Sequence, residues 1–191
     1  MLRSTARVAV LSLLAAAAAL PAAWGTTAVE RTESDLIQEA ALIVTGHCTR
    51  LQSQWVGRTL VTLATVQVTE SLKGSPGSTV TVVLPGGVDS NRKIPVAMSY
   101  PAAPQIYQQE DVLLFLVPED LVAGGYSIAG FSQGKLTLAE SSQGKKVATQ
   151  DLSALNLQGR TGSLRHGTAK TIDLDELRQR IRQTPDAGRE R

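Results

Sequence analysis

The chain has little of what small specialised proteins rely on. Its 191 residues include one Cys, two His, two Phe, two Trp and three Tyr. A single Cys excludes a disulfide-stapled scaffold. Two His and one Cys without clustering exclude a structural zinc site, and no cofactor-binding motif is present. The formal net charge is +2, too small to point to nucleic acid as a partner. What is there is ordinary: 42% hydrophobic and 19% charged residues describe a globular chain, neither disordered nor fibrous.

The first 25 residues read as a signal peptide. Arg3 and Arg7 give a positive start, and Val8 to Leu20 is an uncharged run rich in Ala and Leu. Pro21 interrupts it, and Ala23-Trp24-Gly25 sets small residues at positions −3 and −1 of a cleavage site. The run is shorter than the roughly 20 residues a membrane span requires. No other uncharged run of that length follows, so no integral membrane segment is expected after cleavage. The expected location is periplasmic or secreted. Losing Arg3 and Arg7 leaves 17 basic and 17 acidic side chains in the mature chain.

Two regions follow: a β-barrel domain over residues 26–157, then 158–191 as a polar linker, a C-terminal helix and a flexible tail. Thr32 to Ala41 predicts a short helix, capped by Thr32 or Ser34, with acids at Glu33 and Asp35 suiting its positive end. From Leu42 to Thr49 the period changes to two and predicts a half-buried strand. Leu42, Val44, Gly46 and Cys48 share its apolar face, and Ile43, Thr45, His47 and Thr49 the other. Further strands are expected over 60–70 and 79–84, with turns at Gly57-Arg58 and at Lys73 to Ser78.

Residues 85–110 carry Pro85, Pro95, Pro101 and Pro104 and read as a long irregular loop. A loop of that length inside a compact domain is often functional. Val112 to Val117 shows no polar alternation, which predicts a strand buried on both faces. Tyr126 to Phe131 and Lys135 to Ala139 read as two strands around a turn at Gln133-Gly134, and Lys145 to Thr149 as a last short one. Residues 150–171 read as loop. Asp173 and Glu176 open a terminal helix with Leu174, Leu177 and Ile181 as its apolar stripe, ended by Pro185. The fold class is mainly β: a small antiparallel OB-like barrel with a short N-terminal helix and a C-terminal helix.

Several pieces together resemble a known family. They are Ala41 to Gly46, Trp55, Val66 to Val68, Leu72-Lys73-Gly74, Pro85-Gly86-Gly87, Glu110 to Leu116 and Gly130 to Gly134, covering roughly residues 34–138. The series is similar to exported bacterial proteins of unknown function with a tissue-inhibitor-of-metalloproteinases-like (netrin-like) OB barrel. The resemblance implies the fold. The animal inhibitors of that fold set an N-terminal Cys on a protease zinc ion, whereas a mature chain starting near Thr26 has no Cys there. Inhibition of an extracellular metalloprotease therefore stands as an alternative, not as the implied activity.

Gly130-Phe-Ser132-Gln-Gly134, followed by Asp151 and His166, matches G-x-S-x-G in the Ser…Asp…His order of α/β-hydrolases. That chemistry needs a strand, a sharp elbow and a helix, and no βαβ units precede the motif. Turn geometry accounts for both glycines, and a small serine hydrolase using Ser132 is the alternative reading. Cys48 is expected to be buried as a small hydrophobe, and His47 to face solvent. The leading expectation is a non-enzymatic binding module for a protein partner in the envelope or the extracellular space. Trp55, Tyr100 and Tyr107, aromatics outside the strongest strands, are its candidate contact residues.

Overall fold

The structure, a computed structural model, describes residues 26–184. The expected signal peptide, Pro185 and the expected tail lie outside the described residues. Five strands close into a ring: β2 (Leu42–Val56), β3 (Thr59–Lys73), β4 (Thr79–Pro85), β7 (Asp111–Glu119) and β8 (Gly125–Ile128). β2 pairs antiparallel with β3 and with β7, and β3 antiparallel with β4. β8 closes the ring, parallel to β4 and antiparallel to β7. The result is a small β-barrel, as expected from the alternation of short apolar strands and turns.

The remaining elements build a second layer. β9 (Lys135–Glu140), β10 (Lys146–Asp151) and β13 (Ala169–Asp173) extend the sheet outward from β7. β1 (Thr26–Val29), β11 (Leu155–Gln158) and β12 (Leu164–His166) form a separate three-stranded sheet. Two helices, α1 (Glu33–Glu39) and α2 (Leu174–Gln183), cover the outside.

The period-two pattern of β7 serves both layers. Val112, Leu114 and Leu116 point into the barrel with Val44, Val66 and Val82. Leu113 and Phe115 point the other way, under Leu36 and Ile37 of α1 and Leu174 and Leu177 of α2. β2 does the same over its first half: Leu42, Val44 and Cys48 face the barrel while Ile43 lies in the helix layer. That half of β2 is therefore buried on both faces, not on one. The alternation of faces matches the sequence; the second layer over that face combines α1, just before β2, with α2, far along the chain.

β2 must bend to wrap the barrel, and its pairing with β3 is interrupted by register shifts at Ile43/Val44, Thr45/Gly46 and Cys48/Arg50. Such bulges sharpen strand curvature. Gly46 sits at one of them. A Cβ there would lie 2.5 Å from the Gln67 carbonyl oxygen, so the close crossing of β2 and β3 needs glycine.

The helix ends follow the sequence signals. Thr32 is the cap of α1: its Oγ1 accepts from the Asp35 amide at 3.1 Å, and the Asp35 carboxylate accepts from the Thr32 amide at 2.9 Å. A cap of this kind is worth about 1 kcal/mol. Lys73, from the Leu-Lys-Gly piece, donates to the Ile37 carbonyl at 2.9 Å and so satisfies the other end of α1. Asp173 caps α2 by accepting from the amides of Asp175 and Glu176. Three ion pairs join the N-terminal segment to the C-terminal one: Glu30–Arg165, Glu33–Arg180 and Asp35–Arg160.

Three stretches depart from the sequence reading. Residues 85–110 contain a two-stranded ribbon, β5 (Gly87–Asp89) with β6 (Val96–Met98), where an irregular loop was expected. Residues 150–171 hold β11, β12 and the start of β13; strands of three to five residues are too short for their alternation to stand out. The strands flanking Gln133-Gly134 are not a hairpin. Gly130 and Phe131 both adopt left-handed backbone, at φ 62° and 65°, and a 3-10 turn spans Phe131–Gly134. β8 lies beside Leu116–Glu119 of β7, and after the turn β9 continues along the same edge beside Val112–Leu114, opposite the edge that β2 pairs with. Gln133 fixes this junction from inside. Its buried amide donates to the carbonyls of Val29 and Gly130 and accepts from the Arg31 amide.

Candidate functional site

The segment between β4 and β7 forms an arm across the outer half of the β2–β3 hairpin. It leaves the barrel at Gly86, whose φ of 88° favours glycine, and a Cβ there would collide with the Met98 carbonyl oxygen. Thr62 Oγ1 donates to the Gly86 carbonyl at 2.9 Å, and the Val88 amide donates to Ser53 Oγ at 3.1 Å. The arm is thus fastened to β2 and β3 by side chains on the face that carries Leu51 and Ala64 into the barrel core. Ile106, buried in the barrel core, anchors its returning limb.

Trp55 holds the tip. Its indole N–H donates to Asp89 Oδ2 at 2.7 Å, and the Arg92 guanidinium lies 5.0 Å from its ring centroid. Arg92 also pairs with Asp89 at 2.9 Å. The Trp55 hydrogen bond first, then the Asn91 amide and Arg92, hold the Asp89 carboxyl below the usual aspartate range. A depressed carboxyl pKa contributes stability above the ordinary aspartate value and loses it as pH falls through the lowered value. The arm's fastening is accordingly an ionised one at neutral pH and weakens in acid.

Tyr100 and Tyr107 both border a groove of about 440 Å³ between the returning limb and the barrel, floored by Leu51, Leu84 and Ile106. Their exposures are 42% and 63%. Val88 and Ile94, also on the arm, are 56% and 77% exposed. Among the described residues seven large hydrophobic side chains are exposed, and four of them are on this one arm. Single exposed apolar side chains are normal; a concentration of them on one projecting segment marks an interaction surface.

Trp55 differs from the two tyrosines: its polar atom is already engaged and it is half-buried, so it positions the arm. Val88 and Ile94 escaped the sequence reading. The β5–β6 ribbon, too short to show periodicity, is what turns them outward.

The other singled-out residues fall elsewhere. Ser132 Oγ donates to the Ala102 carbonyl, Asp151 accepts from the Ser153 amide at 3.0 Å, and His166 Nδ1 lies 3.3 Å from Asn156 Oδ1. Each is bonded to a partner outside the trio. Cys48 is buried, as expected, and burial pushes its thiol pKa up. His47 is less free than its outward position suggests. Its ring nitrogens lie 2.9 Å from Gln109 Oε1 and 2.8 Å from Asp111 Oδ1, and Gln109 first, then Asp111, raise its pKa. Among the described residues no group of three or more His, Cys, Asp or Glu is placed to hold a metal ion. None of the described helices is long and apolar enough to cross a membrane.

No family model matches the chain, and no curated protein or solved structure matches it.

Proposed function

We propose that this protein is an exported, non-catalytic binding module that holds another protein through the arm over residues 85–110. The observation that carries this reading is the gathering of Val88, Ile94, Tyr100 and Tyr107, all exposed, on one segment fastened to a rigid barrel. Rigid aromatic anchors beside an apolar groove are the usual energetic centre of a protein interface. The leader sequence supports a periplasmic or extracellular partner. Inhibition of a metalloprotease is a narrower version supported by fold resemblance alone.

The test compares the parent protein with one lacking residues 90–94 and with the Tyr100→Ala/Tyr107→Ala double variant. Partner capture from an envelope extract is expected to disappear with the first. With the second, affinity for the captured partner falls by about 2 kcal/mol or more. Capture undiminished by either change contradicts the reading.

The serine-hydrolase alternative has its own check. A general base must lie within hydrogen-bonding reach of the nucleophile, and the Ser132 proton is given to a backbone carbonyl. A fluorophosphonate probe is expected to leave the protein unlabelled. Labelling that vanishes in Ser132→Ala would establish the hydrolase instead.

A further inference from the structure

Ala103, Pro104, Gln105 and Tyr107 of the arm also wall a second cleft, of about 630 Å³, whose other side is built by β9, β10 and the start of β11. Its size falls in the range of about 300–1,000 Å³ typical of small-molecule sites. At its base Lys135 Nζ meets Glu110 Oε1 at 2.6 Å, with side chains only 16% and 9% exposed. Thr137 Oγ1 donates to the same carboxylate oxygen at 2.7 Å and accepts from Lys135 at 2.8 Å; the Tyr107 amide donates to Oε2 at 2.8 Å.

Two further observations set this cleft apart. A buried ion pair is an expensive way to join β7 to β9, because apolar residues of similar volume do so as well or better. Three described non-glycine residues have left-handed backbone: Ala102, Gln109 and Phe131, at φ 59°, 66° and 65°. Ala102 lines the cleft, and the other two immediately precede Glu110 and Ser132, which line it as well. Strained backbone of this kind gathers at ligand clamps.

The remaining hydrogen-bonding capacity defines the ligand. An ammonium carries three donors, and Lys135 uses two. Ser132 gives its proton to Ala102, so its oxygen can only accept. Asp151 takes the Ser153 amide on Oδ1, and its carboxyl is held below the usual range, chiefly by Ser153, so it offers acceptor capacity as an anion. Two carboxylates repel an anionic ligand, and a wholly apolar one would strip water from the ion pair without replacing its hydrogen bonds. Hydroxyl groups, each donor and acceptor at once, satisfy this mixture. The exposed Tyr107 ring at the rim suits the C–H face of a pyranose.

We propose that this cleft binds a neutral saccharide, with Asp151 and Ser132 accepting from its hydroxyls, Lys135 donating to one, and Tyr107 covering its apolar face. The cleft shares Tyr107 with the proposed protein contact, which uses the groove on the barrel side of the same limb, whereas Ser132, Lys135 and Asp151 line this cleft alone.

Glucose, N-acetylglucosamine, maltose and cellobiose are titrated separately into the isotope-labelled protein, and amide shifts are followed by NMR. At least one sugar is expected to shift residues 102–107, 132–137 and 149–155 saturably. Asp151→Asn and Tyr107→Ala, both at exposed positions that leave the fold intact, each weaken that binding about tenfold. Tyr100→Ala, which belongs to the other groove, leaves it unchanged. The proposal is overturned if none of the four sugars moves these amides, or if both variants titrate like the parent. It is equally overturned if methylammonium alone moves them, which would make the cleft a cation site.

Discussion

Replacing Glu110 with alanine is expected to lower the unfolding free energy by about 3–5 kcal/mol, the cost of leaving a buried charge unpaired. Lys135 is 16% exposed and has Glu110 as its ion-pair partner, so the variant strands an ammonium between β7 and β9. The Tyr107 amide and the Thr137 hydroxyl lose their acceptor at the same time. Denaturant unfolding of Glu110→Ala, Lys135→Met and the Glu110→Leu/Lys135→Met double variant checks this. The double variant should recover most of the stability, because removing both charges also removes their desolvation cost. A loss below about 1 kcal/mol for Glu110→Ala would mean that water reaches the pair freely.

Phe115→Ala is the second large effect, at about 3–5 kcal/mol. Phe115 is 2% exposed and is packed in the layer between β7 and the two helices. Its neighbour Leu114, fully buried, points into the barrel instead. The two substitutions should therefore fail differently. Hydrogen exchange is expected to speed up first in α1 and α2 for Phe115→Ala, and first in β3 and β4 for Leu114→Ala. Identical exchange patterns for the two variants would show that the layers form a single core.

That two-sided strand was legible from residues alone, because an apolar run without polar alternation has no solvent face to offer. The caps of both helices were legible too, since Thr32 and Asp173 act on amides two or three residues away. The Trp55–Asp89 bond was not, because it joins residues separated by 34 positions that meet only once the arm folds back over the hairpin. His47 looked solvated; the register of β2 on β7 sets it opposite Asp111. The Glu110–Lys135 pair was hidden by one particular error. With β9 read as the hairpin partner of β8, Lys135 has no route to Glu110. The turn through left-handed Gly130 and Phe131 instead lets β9 carry on along the edge of β7 that β8 has just left, which brings Lys135 opposite Leu114. Tyr100 and Tyr107 were picked out correctly as lying in a loop, but the groove between them and the barrel depends on Ile106 being drawn into the core.

A photo-activatable side chain placed in turn at positions 94, 100, 107 and 164 tests the assignment of the arm as the contact surface most directly. Leu164 is 65% exposed, as open as the arm residues, but lies on β12. Crosslinking to one discrete partner from 94, 100 and 107, with none from 164, is the predicted result. Equal crosslinking from all four positions, or crosslinking from 164 alone, would contradict it.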